Sequence, residues 1–242
     1  MLHNGAVTPD GCLVNTAFGS IGPHPSQTPE DEPVPALTNP TIGDRLTAKG
    51  VSWAWYSGGW DAAVAGHPGP LFQFNHQPFA CFANYAPGTP GFAHLKDEPA
   101  LEGAVATGTL PAVSFVKPYG GDDAHPGYTD LYQGDAHAAA MVQEVMHSAL
   151  WSSSANIVTY DENGGFWDHV SPPKRDGFGD GTRVPAIIIS PFARRHYVDH
   201  TTYDTTSVLA FIEKRFGLQP LTHRDATASP LMAAFDFSSF SR

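Results

Sequence analysis

Asn156-Ile157-Val158-Thr159-Tyr160-Asp161-Glu162-Asn163-Gly164-Gly165-Phe166-Trp167-Asp168-His169-Val170 is the stretch around which the rest of the chain is organised. Its β-branched and aromatic start, Ile157 to Tyr160, reads as a buried strand. Two adjacent carboxylates end that strand, and an Asn-Gly-Gly turn and an Asp-His pair follow. Side chains alternate faces along a strand, so Asp161 and Glu162 would diverge if the strand ran on. The glycines stop it there, which lets both carboxylates converge. In open α/β sheets ligands collect outside the carboxyl ends of strands. Two carboxylates in that position, with His169 nearby, suit a hard or borderline divalent cation.

Outward from this stretch, helix and strand patterns alternate. On the N-terminal side, Asp135 reads as the cap of a helix from Ala136 to about Leu150. Its stripe Ala138, Met141, Val142, Val145 and Ala149 lies on one helical face. On the C-terminal side, beyond Pro172-Pro173, Val184 to Ser190 is a second continuous apolar strand. Asp204 then caps a last helix through Phe216, stopped by Gly217. Further upstream, Thr41 caps a short helix through Leu46 that Gly50 closes, and Val51 to Tyr56 reads as a strand. Pro99 to Thr107 is helix-like, and Leu110 to Val116 is another strand. Residues 61–100 carry Phe72, Phe74, Phe79, Phe82, Tyr85 and Phe92 with little periodicity, the pattern of a long structured loop over strand ends. Residues 1–40, broken by seven prolines, form an irregular arm. Strands apolar throughout and alternating with helices predict an α/β domain over residues 1–242, its mostly parallel sheet covered on both faces.

The 242 residues suffice for one such domain. A net charge of −11 with only 13 Lys+Arg argues against nucleic acid as a partner, because phosphate backbones are gripped by clustered cations. No apolar run reaches the roughly 18 residues of a membrane span. Cys12 and Cys81 form no CxxC pair and fit either one disulfide or two thiols. The N-terminus shows neither the basic start nor the apolar run of a signal peptide.

Three strand ends therefore carry polar clusters: Ser57-Gly58-Gly59 followed by His76, Asp122-Asp123-Ala124-His125, and Asp161-Glu162 with Asp168-His169. For each, a plainer role competes with chemistry. A lone histidine such as His76 is commonly packed or at the surface, Asp122 and Asp123 read as loop-solvated carboxylates or turn formers, and Asp168 can simply anchor its loop. Asp161-Glu162 points to function, because carboxylates rarely end a buried strand without a partner.

At these residues the chain resembles a known family. Tyr160-Asp161-Glu162-Asn163-Gly164-Gly165-Phe166-Trp167-Asp168-His169-Val170-Ser171-Pro172-Pro173 is similar to the signature of the bacterial acid phosphatase/phospholipase C family of phosphoesterases. So are Asn75-His76-Gln77-Pro78-Phe79, Leu110-Pro111-Ala112-Val113, His125-Pro126-Gly127-Tyr128, Arg183-Val184-Pro185-Ala186, Ser190-Pro191-Phe192, Val198-Asp199-His200 and Leu221 to Arg224-Asp225. The likeness runs from about residue 5 to about residue 225. It implies an alkaline-phosphatase-like three-layer αβα sandwich with a site above the strand ends. It implies Asp161 and Glu162 as ligands of a divalent metal ion, and His76 and His125 as catalytic histidines that contact the phosphoryl group or the leaving oxygen. Asp168 and His169 would stand behind the metal ligands. Asn75 departs from the family, where a first histidine often precedes the second. No Glu-Asn pair and no marked Ser or Thr nucleophile precede the matched region, since nothing singles out Thr8, Thr16 or Ser20. The expectation is a C-terminal portion of the family domain, incomplete at its N-terminus, with the nucleophile upstream.

The implied activity is metal-dependent hydrolysis of a phosphate ester. Leu95-Lys96-Asp97-Glu98 and Arg224-Asp225 lean toward acid phosphatase action on phosphomonoesters. A phospholipase C-type diesterase and an inactive chain that binds metal or phosphate are the alternatives. Family members are typically exported, whereas the visible start, taken as real, implies the cytoplasm. The aromatics of 72–92 read as core, in preference to a carbohydrate-binding surface.

Overall fold

The computed structural model describes residues 18–26, 33–177 and 179–238. Thr8, Cys12 and Thr16 lie outside the described residues. The chain divides into two compact units, Met1–Pro40 with Ser52–Gly134, and Thr41–Val51 with Asp135–Arg242. Helices and a parallel sheet together make it an α/β protein.

The first unit is built on β1 (Trp53–Ser57), the middle strand of a parallel sheet ordered β2-β1-β3, with β2 at Leu95–Lys96 and β3 at Val113–Lys117. Trp55 pairs with Leu95 on one side and Phe115 on the other. Trp53, Ala54, Tyr56 and Ser57 are all buried, as a parallel strand covered on both faces requires. Successive short 3-10 turns between Phe74 and His94 supply much of that cover. Trp53 stacks on His94 at 4.3 Å and meets Phe79 at 5.0 Å, while Phe79 packs edge-on to Tyr85 at 4.9 Å. Phe72, Phe79 and Tyr85 are core residues, as the sequence indicates.

Past β1 the backbone of Tyr119 comes so close that a Cβ on Gly58 would sit 2.4 Å from its nitrogen, so only glycine fits. The Asp97 carboxylate accepts from the Gly59 and Asp61 amides at 2.9 Å and thereby caps α2 (Trp60–Val64). Pro99 opens α3 (Pro99–Thr107) in the first helical turn, where its missing N–H costs nothing.

In the second unit, α1 (Ile42–Lys49) opens with the expected Thr41 cap. Asp44 completes a capping box with it, and Gly50 closes the helix. The helix α4 (Leu131–His147) starts five residues before the expected Ala136. Asp130 is the residue that caps it, accepting from the Gln133 amide at 2.8 Å. Asp135 has another use, accepting the Tyr160 hydroxyl at 2.7 Å. Asp204 receives the Thr206 amide at the start of α5 (Thr206–Phe216), which ends at Gly217. The sequence reading ended the helices there, but Thr222 and Asp225 form a second capping box and start α6 (His223–Thr227).

The larger correction concerns β4 (Asn156–Thr159) and β5 (Ala186–Ile189). They pair antiparallel as a separate two-stranded sheet, with Ile157 opposite Ile188. Among the described residues no helix forms between them. Without a crossover, the chain doubles back through an irregular loop and β5 must run the other way. Nor are these strands covered on both faces: Ile187 is 57% exposed.

Candidate functional site

In the first unit, β1 and the aromatic turns fix His76. The Trp55 indole, stacked on Phe115, donates its N–H to the His76 carbonyl at 2.7 Å. The ring itself is buried, and its Nδ1 lies 3.0 Å from the Pro118 carbonyl. A carbonyl only accepts, so Nδ1 carries a proton and Nε2 is the nitrogen left to gain or give up another. That Nε2 stands 3.9 Å from Asp123 Oδ2, and the Asp123 side chain is only 4% exposed.

Of the two plain roles expected of Asp123, a solvated carboxylate or a turn former, the structure shows the second and not the first. Asp123 does form a turn, accepting the His125 amide at 2.8 Å through Oδ1, but it also ties the two histidine segments together. Its neighbour Asp122 fits the expectation better, receiving the Gln133 side-chain amide at 2.7 Å. Between Asp123 and His125, Ala124 sits at φ 62°, a left-handed conformation that costs a residue with a Cβ on the order of 1 kcal/mol. His125 is exposed, stacked on Tyr128 at 4.5 Å, with Nδ1 held by the Pro126 carbonyl at 2.7 Å. Both imidazoles therefore spend Nδ1 on a backbone carbonyl. Asn75 lies beside His76 on the exposed side of the same turn, and it also lines a cavity of about 190 Å3 with Phe18, Phe74, Gln77 and Cys81.

In the second unit, Asp161 and Glu162 follow β4 on an exposed bend, where the sequence placed them, but the strand they end is itself only half buried. Glu162 Oε2 accepts the Gly164 amide at 2.8 Å, and Asn163 Oδ1 accepts that of Gly165 at 2.9 Å. Gly164 and Gly165 have φ of 59° and 79°, a left-handed pair that L side chains resist. Asn163 also donates to Thr182 at 2.7 Å, holding the two ends of the loop together.

Asp168 anchors this loop. It takes the Arg183 guanidinium in a two-pronged pair, Nε at 2.6 Å and Nη2 at 2.9 Å, and accepts the Val170 amide at 3.1 Å. That guanidinium and the amide hold its carboxyl well below the usual carboxylate range. His169 lies in solvent, 3.8 Å from Asp168. Beyond it, Arg175 pairs with Asp204 at 3.1 Å, and Arg224 reaches Asp176, Asp180 and the Gly179 carbonyl, pinning the loop to the starts of α5 and α6.

Among the described residues, no three His, Cys, Asp or Glu side chains gather to hold a metal ion. The donors that Asp161 and Glu162 offer match a hard or borderline divalent cation in type. Two carboxylates are fewer than the four to eight ligands such ions take.

Sequence reasoning weighed Asp123 but did not see its partner, and passed over Arg183 and Trp55, all of which shape these sites. Asp123 gave a readable signal, since an aspartate two residues before a histidine can close a turn on its amide. Arg183 belongs to a quoted motif, but nothing in that motif names Asp168 as its partner. Trp55 gave none, because an aromatic in a buried strand reads as core.

The phosphoesterase family model matches residues 1–219. A non-hemolytic phospholipase C of Pseudomonas aeruginosa is 29% identical to the chain over 254 residues, which cover 89% of this chain and 35% of that protein. A phospholipase C B of Mycobacterium tuberculosis is 30% identical over 246 residues, covering 87% of this chain and 46% of its own length. A non-hemolytic phospholipase C of Burkholderia pseudomallei is 29% identical over 246 residues, covering 82% and 33%. The chain spans less than half the length of each of these curated relatives.

Proposed function

From the premise that the chain belongs to the phosphoesterase family, we propose that it is a hydrolase of phosphate esters of the phospholipase C kind, acting on a phosphodiester. The observation that carries this reading is the pair of imidazoles His76 and His125, each fixed through Nδ1 on a backbone carbonyl and linked through Asp123. An imidazole oriented in this way presents Nε2 to a reacting oxygen, as a hydrogen-bond donor when protonated or an acceptor when neutral. Proton transfer to a leaving alkoxide and charge stabilisation on a phosphoryl oxygen are the tasks phosphoryl transfer asks of such groups.

Asp161 and Glu162 are the proposed metal ligands, with the rest of the shell supplied from outside the described residues. A bound divalent ion would polarise a phosphoryl oxygen. Glu162, already accepting from Gly164, would be oriented before any ion arrives. Asp168 keeps the loop in place through Arg183, and a role for His169 behind the ligands rests on the family likeness alone.

The diester is preferred over the monoester for two reasons. The relatives bear phospholipase names, and the residues that leaned toward acid phosphatase have structural work. Asp97 caps α2, Asp225 caps α6, and Arg224 holds the loop at 176–180.

The test is hydrolysis of a chromogenic aryl phosphodiester and the matching phosphomonoester, with added divalent cations, by wild type and Asp161→Ala. The expected result is diester turnover that the substitution lowers by about a hundredfold or more. Equal rates in the two proteins would dismiss the metal role. Calorimetric binding of metal and inorganic phosphate without any turnover would overturn the hydrolase in favour of a binding chain.

A further inference from the structure

The loop that carries Asp161 and Glu162 also carries the most exposed tryptophan of the chain. Trp167 is 88% exposed and Phe166 beside it 55%, whereas Trp53 and Trp60 are buried and Trp55 and Trp151 are half-buried. Two adjacent aromatic rings in water forfeit several kcal/mol that burial would supply. A floppy segment could fold them back against the protein; this one is held. Glu162 and Asn163 take the glycine amides, the Phe166 amide donates to the Asn163 carbonyl at 2.9 Å, and the Asp168–Arg183 pair closes the loop directly after Trp167. The rings are displayed by a braced turn.

Charge and composition nearby say what the rings face. Val170, Pro172, Pro173 and Lys174 continue the exposed edge. The Asp168 charge is answered by Arg183, and Arg175 is paired with Asp204 and Asp180, while exposed Lys174 follows Trp167 by seven residues on the same loop of a chain whose net charge is −11. Asp161 and Glu162 precede the glycine pair. Exposed aromatic rings and a lysine carried by one loop match the boundary between phospholipid headgroups and acyl chains, where tryptophan is enriched.

We propose that the 164–174 loop is a lipid-surface anchor, in which Phe166 and Trp167 enter the headgroup–acyl boundary of a phospholipid layer and Lys174 meets lipid phosphates. The choice of a lipid layer as partner rests on the phosphodiester reading above. In that arrangement the loop that presents the acidic pair is the loop that touches the layer holding the substrate.

The experiment uses vesicles of zwitterionic phosphatidylcholine with brominated acyl chains, which quench a tryptophan only when it enters the layer. Wild type is expected to lose fluorescence on vesicle addition, and Trp167→Phe to lose none. Co-sedimentation with vesicles should fall by about tenfold in a Phe166→Ala/Trp167→Ala double variant. Circular dichroism monitors folding, and Trp167→Phe keeps a ring in place should the double variant unfold. Asp161→Ala should bind vesicles as wild type does, so a failed hydrolase reading and a failed anchor give different results. Unquenched wild-type fluorescence with folded protein overturns the anchor. So does burial of Trp167 that grows with protein concentration in the absence of lipid, which assigns the rings to a second copy of the chain.

Discussion

The two histidines of the first unit and the two carboxylates of the second are held by opposite means. His76 is fixed from behind by packed rings, Trp53 on Phe79, Phe79 on Trp55 and Trp55 on Phe115, and by an indole N–H on its carbonyl. Asp161 and Glu162 stand on an exposed loop whose shape comes from ion pairs, glycine turns and side-chain hydrogen bonds. Apolar packing is insensitive to salt and pH, whereas exposed charge pairs are weak and screened. One half of the proposed chemistry therefore comes pre-set, and the other is adjustable.

The largest effect should come from breaking the packed side. Trp55→Ala removes stacking on Phe115, the edge contact with Phe79 at 5.5 Å and the hydrogen bond to the His76 carbonyl. Large-to-small changes of this kind cost about 3 kcal/mol or more. Chemical denaturation should show that loss, and the His76 ring resonances should broaden or shift. An unmoved His76 signal in a destabilised variant would separate the packing from the positioning.

This contrast also explains what the sequence could disclose. β1, β3 and the rings packed on them were legible because buried strands, capped helices and aromatic clusters leave periodic or compositional marks, and Thr41, Pro99 and Gly217 end or start helices as read; α2 and β2 were not, since both fall largely in the 61–100 stretch read as a loop and β2 is only two residues long. The pairing of β4 with β5 was not, since an apolar run does not reveal which neighbour it takes or in which direction. Asp161, Glu162, His76 and His125 stood out through motif and position. Their supports did not, because Asp123 meets His76 across 47 positions and Asp168 meets Arg183 across 15, distances that no local pattern encodes. Asp135 shows the reverse error: a good capping residue ended up one turn inside α4, holding Tyr160.

The next effect sharpens the contrast through pH. Buried Glu213 on α5 is pushed up to about 7 from 4.5, chiefly by desolvation and then by its hydrogen bond to Asp225. Against the desolvation that burial imposes, the Thr222 hydroxyl and then the same Glu213 contact hold Asp225 below its ordinary value. A carboxyl raised in the folded state stabilises fully below its unfolded value and loses that contribution as pH climbs through the folded one. Hydrogen-exchange protection of α5 and α6 should accordingly decline from about pH 4.5 to about pH 7. Glu213→Gln, which can still donate to Asp225 without titrating, should flatten that slope. An unchanged slope would mean another group carries it.

The smallest effect on global stability should come from Arg183→Ala, and it is the most direct probe of the adjustable side. The Arg183 side chain is 60% exposed and the pair holds only a surface loop, so their separation should leave the midpoint of thermal unfolding almost where it was. What should change is local. Asp168 would lose both guanidinium bonds and keep only backbone amides, so its carboxyl should return toward the ordinary aspartate range. In wild type the pair persists as pH falls until that depressed carboxyl protonates, and in the variant the loop should loosen at higher pH. Limited proteolysis between residues 164 and 182 reads this directly, with faster cleavage expected in the variant and in wild type at raised salt. Equal cleavage under all three conditions would show that the Asn163–Thr182 contact and the glycine turn suffice by themselves, and that the carboxylate loop is as firmly set as the histidines.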